Sequence, residues 1–241
     1  GHGSHRFSHA AMATVFEVHC AHADAQYAAQ AAQAAFDLVD RLEQELSRFV
    51  ENSDISRVNH LAAGHAARVS PWTMECLQIA WHVHGLTGGA FDVSIGSGLT
   101  RLELDPDEFA VHAREGGAGL GLGGIGKGYA VDRMAEVLEE WEIPRALVHG
   151  GYSSVLALEP RPDREGWLLT LSAPGNGSVL ARVSARRRAT SRSPCCSASA
   201  TPCCCCWDTS WARSSWATSC SARSARRNSI PAGGACCSCS W

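Results

Sequence analysis

Residues 121–128 read Gly-Leu-Gly-Gly-Ile-Gly-Lys-Gly, five glycines in eight residues, and run into helical sequence at Tyr129, Ala130, Arg133, Met134, Val137 and Leu138. Glycine lets a backbone approach a ligand closely and adopt positive φ. A helix N-terminus adds unpaired N–H groups that attract anions. Lys127 stands at that junction and is the only lysine in the chain, the other 20 basic side chains being arginine. The chemistry this combination suits is the holding of a phosphate.

Two general motifs overlap here. Gly121-x-Gly123-x-x-Gly126 has the spacing of a dinucleotide-binding turn, which requires an acidic residue at the end of the next strand to hold a ribose. The next strand candidate, Ala146-Leu147-Val148-His149, ends without one. Gly121-x4-Gly126-Lys127 approaches a P-loop, but Gly128 stands where a magnesium-binding Ser or Thr belongs. A plain glycine-rich turn packing a helix on a sheet stays open beside both readings.

The elements that must position this stretch alternate between helices and paired strands. Met12 to Cys20 predicts a strand, with Thr14, Phe16 and Val18 on the face opposite Val15 and Glu17. Asp24 caps a long helix whose apolar stripe is Ala28, Ala32, Ala35, Val39, Leu42, Leu46 and Phe49; Phe49, at its end, is free to reach a site. Ser53-Asp54-Ile55-Ser56-Arg57-Val58-Asn59 predicts a capped helical turn. Ser70 and Pro71 open another helix, faced by Met74, Leu77, Ala80 and Trp81 and stopped by Gly85, Gly88 and Gly89. His82 and His84 near its end are read as surface or packing residues. Gly89 to Gly96 predicts a short strand with Asp92 inside it, a turn residue or a polar group in a site. Leu102 to Val111 predicts a hairpin around Asp105-Pro106-Asp107. Beyond the glycine stretch and its helix, to about Glu142, strands are expected at Ala146–His149, Ser153–Glu159, Trp167–Ala173 and Ser178–Val183, the last two joined by a turn at Pro174-Gly175-Asn176-Gly177. Strands in pairs and helices in blocks predict an α+β fold with antiparallel sheet.

Residues 186–241 break this pattern. They hold ten of the twelve cysteines and four of the eight tryptophans, with Ile230 the one aliphatic side chain larger than alanine. Without Leu or Val there is no periodic apolar face and no core. Cys203 to Cys206 run together, whereas metal sites space their cysteines, usually with histidine. Adjacent cysteines are what a Leu- or Ala-rich helix becomes when its codons are read in another frame, so the segment is expected to be out of frame. It carries eight Arg and one Asp, leaving residues 1–185 at −10 within an overall charge of −3. On that reading its basic charge is not a nucleic-acid or membrane arm. Residues 1–5 have the texture of a tag scar or fragment edge. No signal-peptide h-region and no run long enough to span a membrane is visible, and Cys20 and Cys76 do not demand an oxidising compartment. The domain expected is thus 6–185.

Five short stretches, in this order, resemble the ApbE-type FAD:protein FMN transferases: Met12-Ala13-Thr14; Ser47-Arg48-Phe49 with Ser53 to Asn59; Gly89-Ala90-Phe91-Asp92; Gly121 to Asp132; and Ala146-Leu147-Val148-His149-Gly150-Gly151. The resemblance implies an ApbE-like fold over residues 6–183. It implies binding of FAD with Mg²⁺, cleavage of the pyrophosphate, transfer of FMN to a Thr or Ser hydroxyl of an acceptor flavoprotein, and release of AMP. It further implies that Met12, Phe49, Ala90, Phe91, Asp92, Gly121 and Lys127 line the FAD site and that the Gly124 carbonyl is a metal ligand. Members of the family are often periplasmic or membrane-anchored in bacteria. Ala13 stands where the family has glycine, and Gly121 where it has an aspartate that contacts FAD. The late His-x-x-Asp-Pro-x-Thr-Gly stretch, which supplies metal ligands and a candidate base, is missing from this sequence, so no catalytic residue is assigned. Activity is expected to be impaired, the alternative being a flavin-nucleotide binder without catalysis or an inactive fragment.

Overall fold

The computed structural model describes residues 3–151, 153–172 and 179–185. The expected turn at 174–177 and the segment 186–241, expected to be out of frame, lie outside them. The chain opens as a hairpin: β1 (Gly3–Ala11) and β2 (Thr14–His22) pair antiparallel from Gly3↔His22 to Ala11↔Thr14. β1 has no counterpart among the sequence expectations, and Gly3 to His5, read as an edge, are its first residues. Met12 and Ala13, expected at the start of a strand, form the two-residue turn instead, with φ of 49° and 56°. Two positive φ values at a hairpin tip give the twist that suits flanking strands, and this geometry ordinarily selects Asn-Gly. An alanine there is strained.

Asp24 caps α1 (Ala25–Leu46), its carboxylate accepting the amides of Gln26 and Tyr27 at 2.8 and 3.1 Å. The predicted stripe is buried as far as Leu46. Val39 and Leu42 are fully enclosed, each such side chain contributing ~2 kcal/mol of burial. The helix stops there, so Phe49 leaves the stripe and stands 84% exposed. α2 (Asp54–Asn59) and α3 (Pro71–Leu86) start where the Ser53 and Ser70 caps predict. Between them runs β3 (Ala66–Arg68), too short and too alanine-rich to show in the sequence. β4 (Leu102–Asp105) and β5 (Ala110–Ala113) form the expected hairpin, and the order of this sheet is β3-β5-β4.

The strand expected at Gly89 to Gly96 is a turning segment. The Ser94 amide donates to Asp92 Oδ1 at 2.8 Å, which closes an Asx turn, and Ile95 and Gly96 follow with φ of 49° and 82°. Local side-chain bonding has outcompeted the short apolar run.

The glycine stretch forms a single 3-10 turn at Leu122–Gly124 and enters α4 (Gly126–Glu140). β6 (Ala146–Gly150) and β7 (Ser154–Ala157) then complete a four-stranded antiparallel sheet of order β1-β2-β6-β7. α1 packs on α4 and on β1 and β2, and α4 on β6 and β7. One face of the sheet therefore joins the core through Phe16, Val18, Cys20 and Val148, all with no exposed area. The strands before and after the glycine stretch lie in different sheets, and β6 pairs antiparallel with β2. The parallel βαβ unit of a dinucleotide-binding turn is thus not formed. β8 (Trp167–Ser172) and β9 (Val179–Ala185) make a separate two-stranded ribbon. The α+β class with antiparallel sheets is the one observed.

Candidate functional site

A cleft of about 370 Å³ opens where four pieces of chain meet. They are the Met12-Ala13 turn, the end of α1 with Ser47-Arg48-Phe49, Ile95 of the turning segment, and the glycine loop from Gly121 to Lys127. Each is held there by identifiable bonds. The Ser53 hydroxyl donates to the Ser47 carbonyl at 2.6 Å while accepting the Ser56 amide at 2.9 Å. One serine thus caps α2 and closes the loop carrying Phe49. The Arg48 guanidinium lies 4.6 Å from the centre of the Phe49 ring.

Three clamps fix the glycine loop. Asn59 donates to the Leu120 carbonyl at 2.9 Å and accepts the Leu120 amide at 2.7 Å, so its amide group replaces a strand partner. The Gly119 amide donates to Ser97 Oγ at 3.0 Å, and the Gly121 amide to the Val93 carbonyl at 2.8 Å. Segment 93–97 thus positions the loop through backbone and serine groups. Farther along, the hydroxyl of the buried Tyr129 donates to Glu75 Oε2 at 2.6 Å and ties the first turn of α4 to α3. Burial and the Glu75 carboxylate push that phenol above its ordinary range.

α4 has no capping side chain: Ile125 occupies the N-cap position. The amides of its first turn are left for solvent or a ligand, and Lys127 sits among them, half-buried, in the wall of the cleft. Gly123 and Gly124 are exposed, and a side chain at Gly123 would meet nothing within 4 Å, so the backbone itself forms the surface there. The arrangement presents apolar area, chiefly from Met12 and the exposed Phe49. In the same wall it presents a cation and an uncapped helix start, which suits a ligand that is flat and apolar in one part and anionic in another.

Of the expected site residues, Met12, Phe49, Gly121, Gly124 and Lys127 line this cleft, and Ala90, Phe91 and Asp92 do not. Phe91 reaches it indirectly, its ring 3.3 Å from where a Cβ at Gly124 would stand. Ala90 is exposed. Asp92 is occupied with Ser94, whose hydrogen bonds hold its carboxyl below the usual range. Sequence reasoning missed Glu43, a carboxylate in the cleft wall one helical turn before Ser47, and Ile95, whose left-handed backbone brings its side chain against Gly121. It also missed Asn59 as a clamp, since nothing in a sequence links residues 61 positions apart. A shallower depression along Asp40 to Glu45 of α1 includes no glycine-loop residue.

A family model described as the ApbE family matches residues 12–102 and 97–193. The chain is 26% identical over 147 residues to an FAD:protein FMN transferase of Klebsiella pneumoniae (strain 342), covering 50% of this chain and 46% of that one. It thus spans about half the length of that curated relative. The fold is similar to that of the ApbE protein of Thermotoga maritima, with TM-score 0.67 and 19% identity, over 76% of this chain and 68% of that one. It is likewise similar to the flavin transferase ApbE of Vibrio cholerae, with TM-score 0.68 and 17% identity, over 77% and 70%. With the family model matching residues 12–102 and 97–193, most of the chain and the span that builds the cleft, the protein belongs to the ApbE family.

Proposed function

We propose that the cleft binds FAD and that the chain descends from, and retains the substrate-binding half of, an enzyme that moves FMN from FAD to a Thr or Ser hydroxyl of an acceptor flavoprotein, releasing AMP with the help of Mg²⁺. The observation that carries the reading is the meeting of the exposed Phe49, the uncapped start of α4 and the only lysine of the chain in one cleft. Membership of the ApbE family and the name of the Klebsiella pneumoniae relative support it.

FAD fits the residues present. Met12 and Phe49 offer apolar surface to a flavin ring, while Lys127 and the first amides of α4 offer charge and donors to the pyrophosphate. Mg²⁺ fits less well. It takes oxygen ligands in an octahedron, usually from one or two carboxylates together with substrate phosphates and water. Among the described residues lining the cleft the only carboxylate is that of Glu43, and the expected ligand Gly124 can add only its backbone carbonyl. Those donors do not by themselves complete a shell. When bound, the metal would neutralise charge on the pyrophosphate as the acceptor oxygen displaces AMP. The residues of this chain bind and orient the nucleotide. The thin donor set favours a second reading, a flavin-nucleotide binder without transfer.

Equilibrium dialysis against FAD, followed by assay of AMP with and without Mg²⁺, separates the two. Retention of FAD is expected, and Lys127→Gln is expected to weaken it ~10- to 100-fold, the range for losing a hydrogen-bonded charge, with an unchanged melting temperature. FAD bound without AMP selects the second reading. No retention by the wild-type chain sinks both.

A further inference from the structure

On the face of the four-stranded sheet turned away from the core, three side chains converge. Glu17 and His19 are two apart on β2 and share that face, and His149 on β6 is the direct cross-strand partner of Glu17. Glu17 Oε2 lies 3.1 Å from His19 Nε2 and 3.1 Å from His149 Nε2. The imidazoles lie nearly parallel, with ring centres 5.5 Å apart. All three side chains keep some contact with solvent, at 14% for Glu17, 28% for His19 and 26% for His149. Two outer contacts steer the group. Arg6 on β1 donates to Glu17 Oε1 at 2.5 Å, leaving Oε2 for the histidines. His149 Nδ1–H donates to the Gly151 carbonyl at 3.4 Å, which leaves Nε2 as the inward atom.

We propose that Glu17, His19 and His149 form a binding site for a divalent ion of the zinc class, held through Glu17 Oε2, His19 Nε2 and His149 Nε2 with water as a fourth ligand. The three donor atoms lie within 4.8 Å of one another. Ligands about 2.0–2.1 Å from a tetrahedral Zn²⁺ stand ~3.3 Å apart, close to the two separations observed. Imidazole nitrogen selects zinc, copper or nickel, whereas magnesium takes oxygen. This site is therefore chemically distinct from any magnesium site in the cleft, and it shares no residue with the cleft wall. The Gly151 carbonyl behind His149 and Arg6 behind Glu17 are the kind of outer contacts that orient metal ligands. The ion bridges β2 to β6, and Arg6 extends the tie to β1, so its effect is to staple the sheet.

The distances also suit a proton shared between carboxylate and imidazole, and the test separates the two. The full-length chain, its accessible thiols blocked with iodoacetamide so that the cysteine-rich segment does not compete, is titrated with Zn²⁺ by calorimetry and with Co²⁺ by visible absorption. The expected result is a micromolar site with a nitrogen/oxygen Co²⁺ spectrum and no thiolate charge-transfer band. It should be undisturbed by millimolar Mg²⁺ and weakened at least ~10-fold in both His19→Gln and His149→Gln. Zn²⁺ at a hundredfold over its Kd is expected to raise the melting temperature by ~5 °C in the wild type and not in the variants. Identical isotherms for wild type and His149→Gln overturn the proposal. A second readout needs no variant. Modification of His19 and His149 by diethyl pyrocarbonate, mapped by mass spectrometry, is expected to slow at least ~10-fold with Zn²⁺ present, and equal rates with and without the ion overturn it as well.

Discussion

Neither the glycine loop nor the β8–β9 ribbon is part of the four-stranded sheet, and the two are stabilised in opposite ways. The loop has few side chains of its own and is fixed from outside, by Asn59, Ser97 and the Val93 carbonyl acting on Leu120, Gly119 and Gly121. The ribbon has many apolar side chains, but Leu168, Leu171, Val179, Leu180 and Val183 are all at least 46% exposed, and it is held by its own cross-strand bonds together with one from Trp167 Nε1–H to the Glu159 carbonyl at 3.0 Å. Apolar content therefore does not tell which segment is firmly placed. What matters is whether buried polar groups are satisfied by a partner that has nowhere else to go.

The change that should bear hardest on this contrast is Asn59→Ala. It leaves the Leu120 amide and carbonyl without their partner inside the protein, at ~1–3 kcal/mol for each group. A loss of ~2–4 kcal/mol in urea unfolding is expected, together with loss of FAD retention although residue 59 is not in the cleft wall. If stability falls and FAD retention does not, the loop is held by other means.

Ala13→Gly should act in the other direction and by less. A left-handed residue with a Cβ carries ~1–2 kcal/mol of strain, part of which is offset by the entropy glycine loses on folding. A gain of ~0.5–1 kcal/mol is expected from the same denaturation experiment. A loss would mean that the alanine methyl makes packing contacts worth more than the strain.

The smallest effect is expected in the ribbon. Leu180→Thr replaces a side chain that is 68% exposed with one that suits a strand, so stability should stay within ~0.5 kcal/mol. A drop of 2 kcal/mol would show that this face is covered in the protein as it exists in solution.

Much of the fold was legible because its cues are local. The Asp24, Ser53 and Ser70 caps, Pro71, the α1 stripe as far as Leu46 and the hairpin turn all act over a few residues; the caps and stripe lie where the sequence placed them, and the turn falls one residue later, at 106–109, with Asp105 still paired in β4. The failures share a cause as well. β1 alternates small and polar residues with little apolar signal, because its outer face carries Ser4, Arg6 and Ser8, and its inner face uses histidine and Phe7. Gly89 to Gly96 looks like a strand until the Asx turn at Asp92 is considered. In the cleft, the loop and Lys127 were legible from composition alone, and Phe49 from its place as the last member of the predicted stripe, although the helix stops before it. Asn59, Glu43 and the Glu17–His19–His149 group were not, since each depends on a contact between distant parts of the chain.

Gly150 lies directly across from Phe16 in the sheet, and a Cβ built on it would come within 2.7 Å of the ring, which has no exposed area and no room to turn away. The aromatic ring covers bare backbone, so the two positions act as a single unit in evolution. A side chain at 150 is tolerable only after the residue at 16 has become smaller, and a smaller residue at 16 leaves a void unless 150 gains a side chain. Substitutions at either position should therefore appear among relatives in pairs, with the intermediate single changes selected against.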